Sequence, residues 1–184
     1  GVGGYDIQYT VERFKRKGIK YDPDLVIWLL VSDDFVRIQE LLLPKVNEYV
    51  KQAKENGIYT QHRTKNGEYY TEWIRAREEV IKDLGGEKNV LSLQQKYIEQ
   101  FNMLYTGTAI LSILPPFDAM HEDFIKSFTN KRKNIYYFNH LPNIYRIPKA
   151  TLPDSHPSKT GHTLIANAFM EYLVTSDILA CSLK

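Results

Sequence analysis

Tyr21-Asp22-Pro23-Asp24-Leu25-Val26-Ile27-Trp28-Leu29-Leu30-Val31-Ser32-Asp33-Asp34 is the stretch that decides the fold class. Leu25 to Val31 is apolar without a break and follows a Pro-Asp turn, the pattern of a strand buried on both faces of a parallel sheet. Two later runs have the same character: Thr108 to Leu114, closing at Pro115-Pro116, and Ile135-Tyr136-Tyr137-Phe138. Helical patterns separate the three. Buried strands alternating with helices predict an α/β fold, a three-layer α/β/α sandwich around a parallel sheet. Ligands bind beyond the carboxyl ends of the strands in such folds, which places Ser32-Asp33-Asp34 where chemistry occurs.

Working outward, Gly1-Val2-Gly3-Gly4-Tyr5-Asp6 is a glycine-rich entry to a helix over about Ile7 to Lys17, with Ile7, Val11 and Phe14 on one face. Its glycines either form a tight turn or let backbone N–H groups approach an anion. A long helix is expected from Phe35 to about Asn56, kinked or divided at Pro44. A short hairpin is expected from Ile58 to Tyr70 around Asn66-Gly67, then helices over about Thr71–Leu84 and Glu87–Tyr105. Residues 35–105 read as a helical insertion or lid. Its aromatic residues Tyr59, Tyr69, Tyr70 and Trp73 either cover a sugar or acyl chain or simply pack. A helix over Asp118–Lys131 lies between the second and third strands.

With 184 residues, 43% of them hydrophobic, the chain fits a single globular domain over 1–184. The formal net charge is +2, and the basic clusters Arg13–Lys17 and Lys131–Lys133 fall where helices end, which argues against a nucleic-acid partner. The single cysteine, Cys181, excludes an internal disulfide. His121 and His140 have no metal-spaced partner and read as surface or loop residues, so neither metal nor organic cofactor is expected.

The closing stretch Leu152-Pro153-Asp154-Ser155-His156-Pro157-Ser158-Lys159-Thr160-Gly161-His162 carries the chemistry. An Asp and a His two residues apart in a proline-bracketed loop suit a base oriented by a carboxylate. Pro153 and Pro157 favour extended neighbours, which would project Asp154 and His156 to one side. The other reading is a polar loop with Ser158 as the N-cap of a last helix and His162 as a structural residue on its first turn.

Asp-x-His-Pro-Ser-x-x-Gly-His resembles the last block of the SGNH (GDSL-like) hydrolases, a family of serine esterases, lipases and carbohydrate deacetylases with a flavodoxin-like sandwich. Gly1-Val2-Gly3-Gly4-Tyr5 followed by Tyr21–Ile27 resembles its second block, and the strand near Thr108–Pro116 resembles those before its substrate-side loops. The resemblance covers about half the chain. It implies His156 as the base, Asp154 as its acid partner, and an oxyanion hole drawing on the Gly4 N–H and on position 33. The family carries Asn at that position and this chain carries Asp33, whose ionised carboxylate accepts hydrogen bonds but donates none. Asp33 therefore calls for a specific partner, or, with Asp34, it is a helix N-cap and first-turn acid.

The family's Gly-Asp-Ser block, which carries the nucleophile, is not found among the eight serines. Ser32 and Ser155 are the nearest substitutes and lack glycine neighbours. The chain therefore reads as the larger C-terminal part of an ester hydrolase acting on an acylated glycan, lipid or small ester, its nucleophilic Ser lying upstream. The Leu25 strand would then be a sheet edge needing cover from the missing segment or a second copy. The alternative is a catalytically inactive binding module of the same fold.

Overall fold

The computed structural model describes residues 6–57, 71–153, 155–176 and 178. It is an α/β structure whose chain forms two compact units, Gly1–Lys15 with Asp33–Phe101 and Arg16–Ser32 with Asn102–Lys184. The expected hairpin at Ile58–Tyr70 lies outside the described residues, as do Gly4 and Asp154.

The first unit is helical, built from α1 (Ile7–Arg16), α2 (Ser32–Val36), α3 (Gln39–Glu55), α4 (Thr71–Asp83) and α5 (Glu87–Leu104). Leu42 and Val46 of α3 pack on Ala76 of α4, with Tyr49, Val50 and Trp73 around them. The expected helix over Phe35–Asn56 is indeed divided, but at Arg37-Ile38 rather than at Pro44, which lies inside α3. Buried polar groups explain the position of the break. Gln94, fully buried on α5, donates its amide to the Arg37 carbonyl at 2.8 Å and to the Asp34 carbonyl at 3.3 Å. Asp6, also buried, accepts the Tyr9 N–H at 2.8 Å as the N-cap of α1 and the Gln39 N–H at 2.6 Å at the start of α3. One carboxylate thus serves two helix starts. Gly85, at φ 80°, supplies the left-handed residue that ends α4.

The second unit holds the parallel sheet β1 (Leu25–Leu30), β2 (Thr108–Ile113), β3 (Ile135–Phe138), in the order β1-β2-β3. Leu25 pairs with Thr108 and Ala109 with Ile135. The central strand β2 is buried on both faces: Ala109, Leu111 and Ile113 alternate with Ile110 and Ser112. Ile110 joins Phe138, Leu141 and Ile144 in a core closed by Ile165, Phe169 and Leu173 of α7 (Lys159–Thr175). α6 (Ala119–Thr129) starts at its N-cap Asp118, which accepts the His121 N–H at 2.9 Å.

Two sequence expectations are corrected here. Among the described residues β1 is an edge strand of this sheet, the position expected of it, but the apolar run Leu25–Val31 is not buried throughout: Ile27 is 42% and Val31 37% exposed. His121 is not a surface residue but is buried, on the inward stripe His121-Ile125-Phe128 of α6, with Nδ1 3.4 Å from Asp118 Oδ1.

Candidate functional site

The loop before α7 is built by a tight reversal of the chain. The Leu152 N–H donates to the His156 carbonyl at 2.8 Å and the Ser155 N–H to the Leu152 carbonyl at 3.0 Å. Ser155 adopts φ 68°, the left-handed conformation that follows a turn in short hairpin connections. An antiparallel bridge between Thr151 and Pro157 holds the base of the reversal. Ser155 thus departs from the extended backbone that the flanking prolines favour, held there by main-chain hydrogen bonding.

His156 follows the turn with its side chain exposed. The two residues after it anchor the loop. Ser158 Oγ accepts the Gly161 N–H at 3.3 Å and donates to the Lys149 carbonyl at 2.5 Å, and the Ser158 N–H bonds the Ala150 carbonyl at 2.9 Å. Gly161 is required by contact: a Cβ there would lie 2.1 Å from the Ala150 carbonyl oxygen, a backbone atom with nowhere to go. His162 sits on the first turn of α7 with its side chain exposed.

Asp33 belongs to the first unit, in the first turn of α2. Its carboxylate is held on both oxygens, Oδ2 by Arg37 Nη2 at 2.6 Å and Oδ1 by Arg77 Nη1 at 2.8 Å. Arg37 also lies 5.8 Å from the centre of the Trp73 ring. These are the cationic partners that an acid at this position calls for. The Asp33–Arg37 pair was open to sequence reading as an i,i+4 pair on a helix. Arg77 comes from another helix and left no local signal.

Of the substitute nucleophiles, Ser32 spends its hydroxyl on the Pro116 carbonyl at 2.8 Å, and Ser155 is committed to the left-handed turn. Ser92, Ser112 and Ser127 likewise donate to main-chain carbonyls. Among the described residues, no group of three or more His, Cys, Asp and Glu could hold a metal ion.

No protein-family model, curated protein or solved structure matches this chain.

Elsewhere, ionisable groups are coupled between α3 and α4. The Tyr49 hydroxyl donates to Glu79, and Lys45 lies 3.3 Å from Glu79 and 3.0 Å from Asp83. The Tyr49 hydrogen bond, and then that of Lys45, holds the Glu79 carboxyl below its ordinary range. On α6 the Lys126 ammonium does the same for Glu122 at 3.0 Å.

Proposed function

We propose that this chain forms part of an SGNH-type serine ester hydrolase with a three-layer α/β/α core. His156 is the base, Asp154 orients its imidazole, and the nucleophilic serine comes from a segment upstream of this chain. The base takes the proton of that serine as it attacks the ester carbonyl, then returns it to the departing alcohol. The substrate is an acylated glycan, a lipid or a small ester.

The single observation that carries this reading is the construction of the loop at 150–161. Pro157, Ser158 and Gly161 each have a mechanical task in closing the loop on α7, and that closure sets an exposed histidine immediately after a left-handed turn. The segment that brings the serine would also add a strand to the edge of β1, which no strand among the described residues pairs. Leu30 turns its carbonyl to the Leu114 N–H, so Leu25, Ile27 and Leu29 turn theirs outward along an edge with no charged residue.

One observation favours the second reading, a binding module that keeps the fold without the chemistry. Asp33, where the family has Asn, is a carboxylate held by two guanidinium groups and donates nothing to an oxyanion.

Hydrolysis of p-nitrophenyl acetate by the full-length gene product separates the two. The hydrolase reading expects turnover that His156→Ala reduces by about three orders of magnitude or more. Turnover untouched by His156→Ala, or none in the full-length protein, refutes it.

A further inference from the structure

The outer edge of β3 carries an inference that does not rest on the hydrolase reading. The Ala109 N–H bonds the Asn134 carbonyl at 2.9 Å, which sets the phase of this strand. Asn134, Tyr136 and Phe138 turn their main-chain groups toward β2, and Ile135 and Tyr137 turn theirs outward. No hydrogen bond among the described residues takes up these outward groups.

α6 runs alongside that edge. Lys126 Nζ lies 6.0 Å from the centre of the Tyr137 ring, and Asn139 donates to Glu122 at 3.3 Å. Between helix and strand opens a cleft of about 450 Å³, lined by Lys126, Thr129, Asn130, Tyr136, Tyr137 and Asn139 besides Ile135. Its walls offer amides, hydroxyls and an ammonium rather than a continuous apolar surface.

Charge is uneven along the cleft. Glu122 is matched by Lys126 at 3.0 Å, and Arg132 is occupied by the Phe128 carbonyl at 3.1 Å and by the Phe128 ring. Lys131 and Lys133, both exposed in the turn that leads into β3, add two cations at that end. Asp123 on α6 is the remaining acid of this segment.

We infer that the cleft binds an extended acidic peptide by strand addition. The peptide main chain pairs with the outward groups of Ile135 and Tyr137, whose spacing matches alternate residues of an extended chain. Acidic side chains at one end meet Lys131 and Lys133. Charge selects the peptide, and backbone pairing orders it.

The test titrates the protein with a terminally blocked hexapeptide of alternating Glu and Val, and with its Lys-Val counterpart. Hydrogen exchange is followed residue by residue. The acidic peptide is expected to slow exchange at the Ile135 and Tyr137 amides about tenfold or more at saturation, as edge groups gain partners. Lys131→Glu with Lys133→Glu, both at exposed positions, is expected to weaken binding about tenfold and to reduce its salt dependence. N-methylating the alternate peptide amides that face β3 should abolish binding, and methylating the others should not.

Equal affinity for the basic peptide overturns the charge argument. Binding without protection at Ile135 and Tyr137, or indifferent to N-methylation, shows a surface charge patch and overturns strand addition. A sulfated polysaccharide that competes without protecting those amides identifies a polyanion site instead, and also overturns it.

Discussion

Replacing Asp6 tests whether one buried carboxylate holds two helices. Asp6 is 1% exposed, and its two oxygens accept the Tyr9 N–H at 2.8 Å and the Gln39 N–H at 2.6 Å. Asp6→Ala removes the α1 cap, which costs about 1 kcal/mol. It also strands the N–H of Gln39, a residue only 6% exposed. An unsatisfied buried donor costs about 1–3 kcal/mol, so the expected total is about 2–4 kcal/mol. In thermal unfolding this is a fall of roughly 5–15 °C for a chain of this size.

Two further substitutions separate the contributions. Asp6→Ser can still cap α1 but is too short to serve Gln39 as well, and Asp6→Asn keeps one acceptor while turning an NH₂ toward the other donor. Both should fall between wild type and Asp6→Ala in urea unfolding followed by far-ultraviolet circular dichroism. A loss below about 0.5 kcal/mol for Asp6→Ala, the range of an ordinary surface change, would refute the reasoning. So would an Asp6→Asn protein as stable as wild type.

Other expectations follow from single contacts. Gly161→Ala should destabilise by about 2 kcal/mol or more despite the better helix propensity of Ala, because its Cβ meets the Ala150 carbonyl oxygen at 2.1 Å; urea unfolding measures it. Gln94→Leu should cost about 2 kcal/mol, since it leaves the Arg37 and Asp34 carbonyls at the helix break without their donor; the same unfolding curves decide. Glu79 is held below its ordinary pKa of 4.5, so it contributes stability above that pH and loses it as the pH falls through its depressed folded value. Glu79→Gln should therefore be less stable at neutral pH and lose less than wild type on acidification below about 4.5, seen as a flatter plot of melting temperature against pH.

The strands were legible because buried parallel strands leave uninterrupted apolar runs, and Leu25–Leu30, Thr108–Ile113 and Ile135–Phe138 are such runs. An uninterrupted apolar run does not by itself show which of its residues stay exposed, so the exposure of Ile27 is not legible in the pattern. The last helix and its cap were legible for a local reason: Ser158 precedes an apolar stripe and bonds the Gly161 N–H three residues on. The division at Arg37-Ile38 was not, because its causes lie far away in sequence. Gln94 is 57 residues from Arg37 and Asp6 is 33 from Gln39, whereas Pro44 offered a local signal that the helix tolerates. The burial of His121 is legible in the period His121-Ile125-Phe128 rather than in its lack of metal-spaced partners.

A polar loop with a helix cap accounts fully for Ser158, and close packing on Ala150 accounts for Gly161 without any function. Pro157 is likewise explained by its bridge to Thr151. These residues therefore speak for a shape, and that shape serves a binding module as well as an enzyme. His156 contributes its carbonyl to the turn as the acceptor of the Leu152 N–H, and its side chain is exposed. Asp33 is explained by its contacts: its two arginine partners account for it as part of a helix-to-helix ion pair, so the family role inferred for that position adds nothing its local chemistry requires.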